Sequence, residues 1–353
     1  MRINYILLLT FFWMISCYGK STAFYPGKTW LDQDGEPINA HGGQIIKVNN
    51  QYYWIGENRV AGRKNTGKIN EYSSNDLYNW KYEGVILDLS RSPRKISIER
   101  PKIIFNKKNN NFVMWFHLEL DGKYRTAKAG VATSKSIKGP FTMIDQFWPN
   151  AGVLPISTQY SLSANNLENN IIDAESKFEN QILKGNVLRD MTAFVDDDQK
   201  AYIIYASDGN KSIQIAELDE NYTNFTGRYI RILVGEMNEA PTLLKHNNKY
   251  YLITSGVNGF GPSSARLAVS EKILGSWKSI GSPIKDPSHI NMRTTFHSQG
   301  TFIFKINLRN NSQYIFLADR WDPKNLNKST YVWLPLTFEN NQPTIRWYDE
   351  WHY

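Results

Sequence analysis

The chain has 353 residues and one cysteine, Cys17, which excludes an intrachain disulfide and any cysteine-based metal site. Long apolar runs are also missing. The longest, Ile6 to Ile15, is about half of the ~20 residues that a membrane helix needs. No stretch carries a helical period, no linker divides the chain, and there is no HExxH, EF-hand-like loop, zinc-finger or arginine-rich pattern. The formal charge is +8, but the basic residues are scattered, with Lys107-Lys108 the densest pair near the middle. That distribution reads as a solvated surface and not as a nucleic-acid footprint. With 41% apolar residues the chain has ample material for a core. Aromatic residues are abundant at 14%, with 11 Trp and 20 Tyr, which points to a flat partner such as a sugar ring.

Arg2, the short apolar run and Ser16-Cys17 together describe a secretory signal. Met14-Ile15-Ser16-Cys17 resembles a bacterial lipoprotein cleavage box, although Leu is commoner where Met14 sits. Cys17 is then the lipid attachment point; the alternative is an ordinary signal that ends near a cysteine. Residues 1–16 are expected to be the signal, 17–28 a tether and 29–353 one folded domain. The expected location is outside the cytoplasm: a membrane-anchored lipoprotein in the periplasm or on the cell surface, otherwise a secreted protein. Contact with a membrane is expected only through Cys17.

Five segments share one plan: a polar residue, an apolar residue four places on, an Asn/Asp-rich turn and an aromatic-led strand. They start at His41, Glu99, Asp190, Glu239 and Gln299, with Ile45, Ile103, Phe194, Leu243 and Ile303 at the fourth place. The aromatic is Tyr53, Trp115, Tyr202, Tyr251 or Tyr314, 12 to 16 residues after the polar start. Four units then end on a further phrase closed by Trp80, Phe141, Phe225 or Trp277. Such runs read as hairpins with further strands. The starts are 58, 91, 49 and 60 residues apart, and a period of roughly fifty with about four strands per unit is the signature of a β-propeller. The expected fold is all-β, a five-bladed β-propeller in a single domain. The long second interval carries an Asn-rich insertion around 144–188, expected as a surface excursion.

Repeat-equivalent residues of a propeller form a ring around one funnel. Here that ring is His41, Glu99, Asp190, Glu239 and Gln299. Three carboxylates in one ring raise at least one pKa, as glycoside hydrolysis requires of its general acid. Pro101 and Pro241 stiffen the turns that present Glu99 and Glu239. A carboxylate ring with a histidine also leaves a structural cation on the propeller axis open, while no cofactor is required.

At these residues the sequence resembles glycoside hydrolase family 43, in particular its exo-β-1,3-galactanase subgroup. The resemblance covers about Phe24 to the C-terminus and rests on FYPGKTWLDQDGEPINAHGG, YYWIGE, IERPKIIFN, LRDMTAFVDDD, NEAPTLLKHNNKYYLITSG, HSQGTFIF and ADRW. It implies a five-bladed propeller and an inverting exo-enzyme that releases galactose from the non-reducing end of β-1,3-galactan, the backbone of arabinogalactan. By the same resemblance Glu239 is the general acid and Asp190 the carboxylate that raises and orients it. Glu99 grips the terminal galactose, and Gln299 holds the attacking water. Most of the family has an aspartate base at the start of the first blade, where this chain reads Ala40-His41-Gly42-Gly43. Gln299, His41 and Glu99 are therefore the three candidates for proton acceptor. Glu57 and Tyr124 are further expected sugar contacts, with Trp321 and Asn258 weaker ones. The readings kept beside this one are another exo-activity of the family, such as an α-L-arabinofuranosidase, and a catalytically silent glycan-binding propeller. The appended carbohydrate-binding module common in the family is not expected.

Overall fold

The structure, a computed structural model, describes residues 20–62, 64–161, 167–307 and 312–353. Cys17 and the rest of 1–19 lie outside the described residues. The described residues form five sheets in sequence order, each built on four antiparallel strands that run from an inner strand to an outer one. Blade one is β1 (His41–Val48), β2 (Gln51–Val60), β3 (Lys64–Ser74) and β4 (Lys81–Asp88). Blade two is β5 (Ile96–Asn106), β6 (Asn111–Leu120), β7 (Lys128–Ser134) and β8 (Thr142–Phe147). The insertion follows, with β9 (Ser157–Tyr160) and α1 (Leu167–Glu179). Blade three is β10 (Met191–Val195), β11 (Ala201–Ser207), β12 (Ser212–Leu218) and β13 (Phe225–Val234). Blade four is β14 (Asn238–His246), β15 (Lys249–Gly256), β16 (Ala265–Ser270) and β17 (Lys278–Gly281). A short helix α2 (His289–Thr294) leads to blade five: β18 (Gln299–Asn307), β19 (Ser312–Arg320), β20 (Thr330–Glu339) and β21 (Gln342–Ile345). The molecule is the five-bladed β-propeller read from the repeats.

Blades are buried on both faces, which is why their second strands are apolar almost throughout. Side chains alternate across a strand. In β2, Tyr52 and Trp54 pack toward blade five, while Tyr53 and Ile55 pack toward blade two. In β11, Ile203 and Tyr205 face blade two and Tyr202 and Ile204 face blade four. The core is thus a set of wedges, one between each pair of neighbouring blades. The wedge between blades five and one also closes the circle. Phe24 is 1% exposed, pairs with Trp351 through the main chain, and stacks on its ring at 4.4 Å. Part of the expected tether, Ala23 and Phe24, therefore belongs to the folded body.

Two expectations change. The aromatic excess is mostly structural: Trp54, Trp80, Trp115 and Trp333 are fully buried between blades, because flat rings of 150–250 Å² fill wedge-shaped gaps with few rotamers. The insertion, expected as a surface excursion without helical period, contains a helix of 13 residues. Ile171, Ala174 and Phe178 recur at near-helical spacing along it, and Ala174 and Phe178 are buried. The helix docks on blade three, and β9 joins the same sheet in parallel beside β13.

Candidate active site

A register shift follows the first residues of four inner strands, after His41, Glu99, Glu239 and Gly300. In three of them the bulged residue takes a left-handed φ: Gly42 at 59°, Arg100 at 55° and Ala240 at 52°. For Arg100 and Ala240 that conformation is costly and needs outside support. A carboxylate of the preceding blade supplies it each time. Gly42 N–H donates to Asp319 Oδ2 at 2.6 Å, Arg100 N–H to Glu57 Oε1 at 2.9 Å, and Ala240 N–H to Asp190 Oδ2 at 3.1 Å. The latches at Arg100 and Ala240 leave Glu99, Arg100 and Glu239 lining the funnel.

Glu239 sits on one wall. Its Oε1 accepts the main-chain N–H of Asn258 at 3.1 Å and Gln299 Nε2 at 2.9 Å. Burial, with the charge of Asp190 second, pushes its pKa up to about 7, so much of it is protonated in neutral water. Asp190 is paired with Arg100 Nη2 at 2.9 Å. The same Arg100 nitrogen bonds Gln299 Oε1, and Trp321 Nε1 donates to that oxygen at 3.1 Å.

The opposite wall is an ionic network. Arg59 binds Glu57 Oε2 and, at 2.8 Å, Glu99 Oε1. Tyr124 also donates to Glu99 Oε1, while His117 Nδ1 lies 3.5 Å from Glu99 Oε2 and its Nε2 2.9 Å from Glu119 Oε1. Burial would raise Glu99, but His117 and Arg59 outweigh it and hold the carboxyl far below the usual range. His117 is driven up to about 9 by its two carboxylates despite burial. Glu57 is 1% exposed and braces two cations, its Oε2 on Arg59 and its Oε1 on the Arg100 N–H.

Between the walls lies a cavity of about 330 Å³, lined by Glu57, Arg59, Glu99, Arg100, His117, Tyr124, Arg189, Asp190, Asn210, Glu239, Gln299 and Trp321 among others. Four of the five ring residues line it. The exception is His41, fully buried between Tyr331, at 5.2 Å, and Trp321, at 5.5 Å. Both its nitrogens lack a hydrogen bond, and burial lowers its pKa to about 3. It is neutral and packed away from the chemistry, which removes it as proton acceptor. The bulge at Gly42 turns it outward of the funnel, and repeat position alone could not show that.

Asn258 contributes its main-chain amide to Glu239 and spends its side-chain amide on Pro262 O. Among the described residues no cluster of His, Asp and Glu is arranged to hold a metal ion. Beside the ring, Lys102 Nζ donates to Gly42 O at 2.9 Å and faces two further carbonyls, and burial, with the charge of Arg100 second, lowers its pKa to about 7. Arg59, Arg100, His117 and Asp319 escaped the sequence reading. Arg100 follows Glu99 directly, and Arg59 and His117 lie on second strands, so no repeat position pointed to them.

Arg59 Nη1, Arg189 Nε and Asn210 Oδ1 are buried at this cavity without a partner. Buried polar atoms are nearly always satisfied, so these three mark where the polar atoms of a ligand or of ordered water would bond. A carboxyl acid poised near pH 7 over such a pocket, in a five-bladed propeller, defines a glycosidase. Residues 147–301 match the family "Glycosyl hydrolases family 43". No curated protein matches the sequence. Among solved structures, a family 43 β-1,3-galactosidase with galactodeoxynojirimycin is 39% identical, with a TM-score of 0.84 over 94% of this chain and all of that one. The exo-β-1,3-galactanase of Clostridium thermocellum is 32% identical, TM-score 0.77, over 94% of this chain and 66% of that one. The Phanerochaete chrysosporium enzyme, solved with β-1,3-galactotriose, is 31% identical, TM-score 0.76, over 94% and 68%. The chain belongs to glycoside hydrolase family 43 and hydrolyses O-glycosyl bonds.

Proposed function

We propose that the protein is an inverting exo-β-1,3-galactanase that takes one galactose at a time from the non-reducing end of β-1,3-galactan or the arabinogalactan backbone. The observation that carries this is Glu239, with a pKa raised to about 7, on the wall of a cavity whose far side is lined by the Glu57–Arg59–Glu99 network. Such a far side admits a chain end and stops it after one sugar. The galactose-directed relatives supply the identity of that sugar.

Glu239 gives its proton to the glycosidic oxygen as the bond to the anomeric carbon breaks; a water adds from the opposite face of the ring and releases its proton to solvent, from which Glu239 is reprotonated. Asp190 keeps Glu239 protonated and, through Ala240, aimed. Glu99 and Arg59 take the sugar hydroxyls, with Tyr124 at the rim. Gln299 receives the water: Glu99 belongs to the opposite wall, bound to Arg59 and Tyr124 where the sugar hydroxyls are held, and His41 is outside the cavity. The oxygen of Gln299 already accepts from Arg100 and Trp321, so the water must displace one of them.

The test is incubation with debranched β-1,3-galactan beside arabinan and xylan, with products separated and the first-formed anomer read by proton NMR. Galactose released first as the α-anomer supports the proposal. Release of arabinose, or binding of galactan without hydrolysis, overturns it in favour of an arabinofuranosidase or a binding propeller. Export with a lipid on Cys17 is also proposed, on the leader sequence alone. Labelled palmitate should enter the protein and be lost in Cys17→Ser.

A further inference from the structure

The turn between β11 and β12 holds three consecutive residues in the left-handed region: Asp208 at φ 53°, Gly209 at 70° and Asn210 at 65°. Two of these are not glycine, so the turn is strained and something must hold it. What holds it is the insertion helix. Asp208 is fully buried and accepts Arg231 Nη2 at 2.9 Å and Ser212 Oγ at 2.6 Å. Arg231, itself 1% exposed, reaches on to Glu175 of α1 at 3.0 Å and lies 3.9 Å over the ring of Phe178. At the other end of the turn, Lys211 pairs with Asp173 of α1 at 2.8 Å. Lys177 of the same helix lies along Gly209 so closely that a Cβ there would stand 3.0 Å from its Cε.

The far side of this turn touches the active site. Asn210 lines the cavity, and its main-chain oxygen accepts the N–H of Asn238, the residue before Glu239, at 2.8 Å. Lys211 O accepts Gly235 N–H, also at 2.8 Å. One strained turn thus connects helix α1 to a cavity wall and to the start of the strand that carries the acid.

We propose that the insertion between blades two and three is a positioning device for catalysis, in which Asp173 and Glu175 of α1, through Lys211 and Arg231, clamp the 208–211 turn and with it the Asn238–Glu239 segment. These are positioning residues, and none of them touches substrate. The location of the clamp is independent of which sugar is cleaved; its kinetic consequence rests on the galactanase reading.

The test uses the mature chain as Asp173→Asn/Glu175→Gln, which keeps shape and removes only the charges. Amide hydrogen exchange in segments 208–211 and 235–240 should speed up by roughly three- to tenfold, as expected for two partly exposed ion pairs. Exchange in blades one and five should not change. On β-1,3-galactobiose, kcat should fall several-fold and its pH profile should shift, while inhibition by free galactose changes less than twofold. Unchanged exchange in both segments overturns the proposal, as does a uniform rise across all blades, which would mark simple destabilisation. If the unmutated protein does not cleave galactan, the functional proposal falls, yet the exchange result still decides this one.

Discussion

Gln299 and Glu239 are joined by a hydrogen bond from Nε2 to Oε1 at 2.9 Å, and the amide cannot be turned round. Arg100 and the indole of Trp321 hold the amide oxygen, and both are donors only. Gln299 therefore gives Glu239 a donor, which favours the carboxylate form and partly offsets the effect of burial and Asp190.

Gln299→Ala should accordingly act twice. Loss of the donor raises the Glu239 pKa further, so the alkaline limb of the kcat profile moves to higher pH. Loss of the group that holds the water lowers kcat by about 10²-fold, within the range for positioning and acid–base groups. A profile measured from pH 5 to 9 separates the two effects, and a limb that moved down would show the hydrogen bond runs otherwise.

Glu239→Gln should lose hydrolysis by about 10³-fold or more, because no other acid reaches the leaving oxygen. Binding of a galacto-oligosaccharide, read by calorimetry, should stay within a few-fold of the unmutated protein. Near-normal turnover would remove Glu239 as the acid.

Asp190→Asn removes the charge that raises Glu239 and frees Arg100, which lowers it. Both changes favour the ionised acid. The acid works only while protonated, so the alkaline limb of the pH–rate profile should move to lower pH, opposite in sign to Gln299→Ala. An unmoved limb would separate Asp190 from the acid.

Glu71 on β3 is fully buried with neither oxygen bonded, and burial followed by the charge of Glu83 pushes its pKa up to about 8 from 4.5. A raised carboxyl favours the folded state fully below pH 4.5 and loses that contribution as pH rises toward 8. In Glu71→Gln the dependence disappears. The variant's melting temperature relative to the parent should climb by about 2–4 °C between pH 5 and pH 8. A constant difference across that range would mean that Glu71 is already ionised in the fold.

Much of the architecture was legible because a propeller repeats. The polar start, the apolar fourth place and the aromatic-led strand recur, and each corresponds to an inner strand, its inward-packed residue and the wedge between blades. The helix α1 was missed because its apolar face is short and interrupted by Asn and Glu, so its stability comes from docking against Arg231 and blade three. His41 was misplaced for a different reason. Equivalent repeat positions share a backbone location, but a bulge one residue later decides which way the side chain turns.

The sequence by itself determined the number of blades, the family and the carboxylates at the blade starts, since these depend on local period and on residues adjacent in the chain. Only the tertiary structure decided how those groups are charged and which of them face a ligand. The latches of Asp319, Glu57 and Asp190 each cross from one blade to the next, and the network of Arg59, Arg100 and His117 joins residues from several blades. Such contacts have no spacing in the sequence. Burial and opposite or like charge at a few ångströms set the protonation of Glu239, and those distances exist only once the five blades have closed.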